Sequence, residues 1–141
     1  MDYFKLEINA DSKNEAFARQ TVAFFSLALS PTLEEIGDIK TATSEAVTNA
    51  VVHAYPRGKG KIEIIGEIDE AEHSLTVTVR DFGCGIEDIS SALEPFFTTK
   101  PDDERSGMGF TIIQTFTDNM DVESTVGKGT TVRFKKVFKQ C

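Results

Sequence analysis

Two alternating runs in the middle of the chain, Lys61 to Ile68 and Leu75 to Asp81, are separated only by the short polar stretch Asp69–Ser74. In the second run Leu75, Val77 and Val79 alternate with Thr76, Thr78 and Arg80, the two-residue period of a strand with one covered and one more polar face. The pair predicts a hairpin. Tyr3 to Ala10 alternates too, with Phe4, Leu6 and Ile8 on one face and Lys5, Glu7 and Asn9 on the other. Ser12 followed by Glu15 predicts a capping box that opens a helix through about Leu29, with Phe17, Thr21, Phe24 and Leu27/Ala28 inward. Ser30-Pro31-Thr32 breaks it, and Thr32 with Glu35 restarts a second helix to about Ala54, carrying Ile36, Ile39, Ala46, Val47, Ala50 and Ala54 at helical spacing. Pro56 to Gly60 ends that helix. A third helix is expected from Gly109 to about Asn119, then strands Asp121–Ser124 and Thr130–Val137 around the Gly127-Lys128-Gly129 turn. The order β-α-α-β-β-α-β-β implies an α/β sandwich, a mixed and largely antiparallel sheet with helices on one face.

The 141 residues are expected to form one domain, 1–141. Fifteen Lys and Arg against 23 Asp and Glu give a net charge of −8, which argues against direct nucleic-acid binding, where a concentrated basic face is needed. Cys84 and Cys141 lack His partners at metal spacing and make no disulfide framework, which favours a reducing, cytoplasmic setting. No apolar run approaches the roughly 18 residues of a membrane span, and the start MDYFKLEINA has no signal-peptide design.

Three glycine clusters remain for chemistry: Asp81-Phe82-Gly83-Cys84-Gly85, Ser106-Gly107-Met108-Gly109 and Gly127-Lys128-Gly129-Thr130. The second directly precedes a helix, where unpaired N–H groups and the positive dipole end can receive phosphate. Neither the P-loop pattern nor the dinucleotide fingerprint occurs, so any phosphate cradle belongs to another fold. Asp81, at a strand end beside two glycines, can accept from an exocyclic amine, which favours adenine over guanine; it can also simply initiate a turn. Glu45, Asn49 and His53 lie at i, i+4 and i+8, one polar stripe bordering the apolar face of the second helix. A carboxylate and an amide oxygen there suit magnesium coordination and orientation of a nucleophile, while His53 fits a capping or packing role at least as well. Pro95 to Arg105 is an unpatterned polar loop in which Lys100 and Arg105 supply the cations a nucleotide lid needs.

Four segments occur together and in order: SEAVTNAVVHA at Ser44–Ala54, DFGCGI at Asp81–Ile86, SGMGF at Ser106–Phe110 and GKGTTV at Gly127–Val132. They resemble the ATP-binding motifs shared by type II topoisomerases, heat-shock-90 chaperones, sensor histidine kinases and mismatch-repair ATPases. The short length, the segment from Phe96 to Phe110 and the stretch Glu15–Arg19 make the chain similar to anti-sigma factors with serine kinase activity, and most to the anti-sigma F factors of endospore formers. The resemblance implies a histidine-kinase-like ATPase fold and an ATP-dependent protein serine kinase. It would bind and inhibit a sporulation sigma factor, sigma F, and phosphorylate the anti-anti-sigma factor on serine. By the same likeness Asp81 would hold the adenine amine, Gly83 and Gly85 would let the backbone approach, and Thr130 would support through its hydroxyl. Asn49 would ligate Mg2+ between the phosphates of ATP or ADP. Ser106, Gly107, Met108 and Gly109 would wrap those phosphates, with Thr98, Thr99 and Lys100 in the lid and Arg105 on the terminal phosphate. Glu45 would orient or deprotonate the incoming serine hydroxyl; a carboxylate at its ordinary pKa is a weak base at neutral pH, so orientation carries more of that role. Glu15 and Arg19 would contact the partner, and the chain would act as a homodimer. One departure is Cys84, where a small apolar residue is more usual. The competing readings are a nucleotide-dependent binding switch without significant kinase activity, an anti-sigma factor of the general-stress branch, and an isolated histidine-kinase catalytic domain, for which no helical phosphoacceptor module is visible.

Overall fold

The computed structural model describes residues 2–55, 59–86 and 109–139. Strand β1 (Asp2–Asn9) leads to helix α1 (Asn14–Ser26), which tightens into a 3-10 turn at Leu27–Leu29; helix α2 (Leu33–Asn49) runs on through a π-helical turn at Ala50–Ala54. Strands β2 (Lys61–Asp69) and β3 (Ser74–Asp81) form the central hairpin, and helix α3 (Gly109–Phe116) precedes strands β4 (Asn119–Thr125) and β5 (Gly129–Val137). The five strands lie in the order β1-β2-β3-β5-β4, and every pairing is antiparallel. Ile62, Ile64, Ile68, Leu75, Val77, Val79, Val132 and Phe134 turn one sheet face into a core with Ala18, Val22, Ile39, Ala42, Ala46, Val47 and Ile113 of the helices. The helix-covered antiparallel sheet is the architecture that the alternating runs imply.

Two local expectations for α1 are corrected. Ser12 and Glu15 form no capping box: the side chain of Asp11 accepts from the N–H of Lys13 at 3.0 Å, and the helix begins at Asn14 without a side-chain cap. The Glu15 carboxylate is instead taken by the Arg19 guanidinium, at 2.9 and 3.0 Å. The buried face of α1 is also not the aromatic one. Ala18, Val22, Ala23 and Ser26 face inward, whereas Phe17, Phe24 and Leu27 are 55%, 76% and 50% exposed and Ala28 is exposed. Small residues on the inner face let α1 lie close against α2, which the bulkier stripe would prevent.

The second capping box forms as expected. Thr32 Oγ1 accepts from the N–H of Glu35 at 3.1 Å, and Glu35 Oε1 accepts from the N–H of Thr32 at 2.9 Å. The other carboxylate oxygen of Glu35 accepts from the N–H of Lys139 at 2.8 Å, and Lys136 reaches Asp38 at 2.9 Å, so the segment after β5 is fastened to the start of α2. Burial alone would raise the Glu35 pKa, but the N–H groups of Thr32 and Lys139, the Thr32 hydroxyl and the Lys136 charge outweigh it and hold the carboxyl below its usual value. The ionised form therefore stabilises the fold at neutral pH, and this contribution is lost as pH falls through the depressed pKa. Glu35→Gln puts an amide donor where an acceptor is needed. A loss of about 1–3 kcal/mol is expected in denaturant unfolding at neutral pH, shrinking in acid as the wild-type carboxyl takes a proton; equal stability at neutral pH would contradict the fastening role.

Candidate functional site

Strand β3 ends on Asp81, a carboxylate only 6% exposed at the rim of the core. Its Oδ1 accepts two backbone N–H groups, from Gly83 at 3.0 Å and from Thr130 at 3.1 Å. Among the described residues no donor reaches Oδ2, so one oxygen is anchored and the other is available to an incoming donor. Withdrawal from water pushes the carboxyl above its ordinary pKa, and the two N–H groups bring it only partly back. The anchoring depends on how the chain leaves β3. Gly85 has φ +79, and a Cβ there would stand 2.5 Å from the carbonyl oxygen of Thr125, so the turn is closed to other residues. The carbonyl of Cys84 accepts from Gly127 N–H at 2.9 Å, tying this turn to the β4–β5 turn.

Thr130 reaches Asp81 through its backbone N–H, which leaves its hydroxyl for other partners. That hydroxyl is hydrogen-bonded to Ser124 Oγ at 2.8 Å, and Ser124 Oγ also accepts from the N–H of Ile86 at 2.7 Å. Ser124 therefore links the loop after Asp81 to β5. No motif marks it in the sequence; only the register that sets Ser124 opposite Thr130 shows its place.

Helix α2 reaches the same loop from below. Its polar stripe places Glu45 one turn before Asn49, both half-buried. The Asn49 carboxamide lies against the first residue of α3: a Cβ on Gly109 would come within 2.5 Å of both its polar atoms. Beyond Asn49 the helix widens into the π turn, and its terminal carbonyls are capped by the glycine loop. Ala54 O accepts from Cys84 N–H at 3.1 Å and His53 O from the Cys84 thiol at 3.2 Å. Gly83 passes so close that a Cβ would meet the Ala54 carbonyl oxygen at 2.1 Å. Cys84, the departure noted in the motif, thus serves as a donor to the helix end, and His53 contributes its backbone to that cap. Glu15 and Arg19 are not a solvated pair on the outer face of α1. They pack towards α2, where Arg19 donates to Ser44 Oγ at 3.4 Å, one residue before Glu45.

The structure therefore brings Asp81, Gly83, Gly85 and Thr130 into one cluster and joins it, through the α2 end, to Asn49 and Gly109. Glu45 lies one turn before Asn49 on α2, and Glu15 and Arg19, on α1, meet that stretch of α2 through Ser44. Thr98, Thr99, Lys100, Arg105, Ser106, Gly107 and Met108 fall outside the described residues. The oxygen donor at Asn49, set against the N-terminus of α3, suits a hard divalent cation shared with phosphate; among the described residues no three His, Cys, Asp or Glu side chains gather as a protein cage.

Residues 8–136 match the model of the histidine kinase-like ATPase domain. An anti-sigma F factor of Clostridium acetobutylicum is 53% identical over 134 residues, covering 95% of this chain and 92% of that protein. One from Caldanaerobacter subterraneus subsp. tengcongensis is 52% identical, covering 94% and 91%. Among solved structures, the RsbU and RsbW domains of a Mycobacterium tuberculosis protein superpose with a TM-score of 0.69 at 16% identity, over 98% of this chain and 32% of that one. The histidine kinase domain of an Erythrobacter litoralis blue-light activated histidine kinase gives 0.55 at 25% identity, over 74% and 45%.

The raised pKa of Asp81 has a measurable consequence. Above that pKa the fold carries a desolvated charge at a cost, and the cost fades as pH falls through it. Asp81→Asn keeps an oxygen for the Gly83 and Thr130 N–H groups and removes the charge. The ligand-free variant is expected to melt higher than wild type at neutral pH, with the gap closing in acid; thermal unfolding across that range checks this, and a lower melting point at neutral pH would contradict it.

Proposed function

The chain belongs to the histidine-kinase-like ATPase family, in its anti-sigma F branch, and from that premise we propose an ATP-dependent protein serine kinase that also sequesters a sigma factor. The anchored Asp81 carboxylate is the observation that carries the nucleotide half of this reading. With Oδ1 fixed by two N–H groups, its second oxygen is positioned to accept from the six-position amine of adenine, which guanine cannot offer. Phosphoryl transfer asks mainly for positioning and charge stabilisation. Asn49 is the residue that would hold Mg2+, which when bound neutralises phosphate charge. Glu45, one turn earlier, accepts a hydrogen bond from the serine hydroxyl and orients it for attack. Gly109 opens α3 with N–H groups directed at phosphate, joined by Ser106, Gly107 and Met108; Thr98, Thr99, Lys100 and Arg105 complete the lid.

The regulatory half rests on the relatives' name, anti-sigma F factor. The protein held is a sporulation sigma factor, sigma F, and the substrate is a serine of the anti-anti-sigma factor, both met in the cytoplasm. Glu15 and Arg19 present charge on the α1–α2 surface beside Ser44 and Glu45, which supports a shared docking place for the two partners. The chain acts as a homodimer, and the exposed Phe17, Phe24 and Leu27 supply apolar surface for protein contact. No described helix is long and apolar enough to cross a membrane.

Incubation with γ-labelled ATP, Mg2+ and the anti-anti-sigma protein is expected to yield phosphoserine; tight binding of nucleotide and protein without phosphoserine would leave only a binding switch. Glu45→Gln should keep nucleotide affinity nearly unchanged and slow transfer at least about a hundredfold. An equal loss of binding and transfer would remove Glu45 from the chemical step.

A further inference from the structure

Tyr55 follows the π turn directly, at the junction between the Asn49 helix and the sheet. Its ring packs at the edge of the core. Its hydroxyl oxygen accepts from the N–H of Phe82 at 2.7 Å, and its O–H donates to the carbonyl of Lys61 at 2.6 Å. The register gives these two bonds their meaning. Ile62 is paired with Asp81, so Lys61 and Phe82 would form the next rung of the β2–β3 ladder. The phenol is spliced into that rung. It satisfies both backbone groups while holding the strands apart, just where the chain must leave the sheet to bring Gly83 N–H back to Asp81 Oδ1. Only a group that donates and accepts through one atom can do this, which a tyrosine hydroxyl does. Gly60 makes the arrangement possible: a Cβ there would lie 2.2 to 2.4 Å from three atoms of the Tyr55 ring.

We propose that Tyr55 is a positioning residue for adenine recognition, setting the turn that aims the Asp81 carboxylate, with Gly60 as the space that admits its ring. The inference rests on the reading of Asp81 as the adenine acceptor. Burial, and the Asp81 charge nearby, push the phenol above its usual pKa, so the hydroxyl keeps its proton at neutral pH.

The test compares binding of ATP and of purine riboside triphosphate, which lacks only the six-position amine, by titration calorimetry on the full chain. Wild type is expected to prefer ATP by at least about tenfold, the contribution of a hydrogen bond to a charged acceptor. Tyr55→Phe removes one oxygen and keeps the ring; its preference for ATP is expected to fall towards unity, while affinity for the analogue stays within about twofold of wild type. Gly60→Ala, which displaces the ring by another route, should lower the same ratio. A purely structural role would weaken both nucleotides together and leave the ratio unchanged, which overturns the inference. If wild type shows no preference and Asp81→Asn changes nothing, the Asp81 reading fails and takes this inference with it. A strong wild-type preference that survives in both variants overturns the Tyr55 role alone.

Discussion

A desolvated carboxylate holding two backbone N–H groups is the constraint around which this molecule is arranged. Asp81 sits at the end of the most central strand, and its Oδ1 receives Gly83 from the chain that follows and Thr130 from the neighbouring strand. Removing that charge from water works against the fold, and the two N–H groups offset only part of the effect. Retaining such a charge at a cost to local stability fits the recognition role proposed for Asp81. The glycines around it follow from the same need. Gly83 must pass within contact of the Ala54 carbonyl, and Gly85 must adopt a positive φ beneath Thr125.

The second consequence is mechanical continuity between the Asp81 cluster, proposed to take the base, and the Asn49–Gly109 contact, proposed to face the phosphates. The end of α2 is capped by the glycine loop, through Cys84 to His53 and Ala54. Asn49 stands one turn back and touches Gly109, where α3 starts. A ligand that orders the Asp81 loop therefore acts on the same helix that carries Asn49 and Glu45. Through Ser44 and Arg19 that helix also meets the surface proposed for protein partners. The surfaces proposed for catalysis and for partner contact are then faces of one element.

Much of this is legible in the sequence, and what is not has physical reasons. The strands declare themselves because each has one covered face, so Leu75, Val77 and Val79 alternate without ambiguity. The Thr32–Glu35 box reads correctly because Lys139 takes the other carboxylate oxygen of Glu35 and leaves Oε1 to Thr32. The Ser12–Glu15 box fails because Arg19 claims the same carboxylate from one turn away. Helix α1 carries two stripes, one of phenylalanines and one of small residues. Hydrophobicity favours the first, whereas the distance between α1 and α2 selects the second, and sequence alone contains no distance. The motif residues of the site could be assigned by type, but the Thr130 backbone contact, the Ser124 bridge and the Tyr55 splice depend on register between remote strands.

The claim that these pieces make one nucleotide site is tested most directly by following backbone amide resonances of the full chain while ADP is added. Gly83, Thr130 and Gly109 lie on three different segments of the chain. Their amides are expected to shift along a single saturation curve with a common midpoint. Saturation with those three amides unmoved, or moving with separate midpoints, would contradict it.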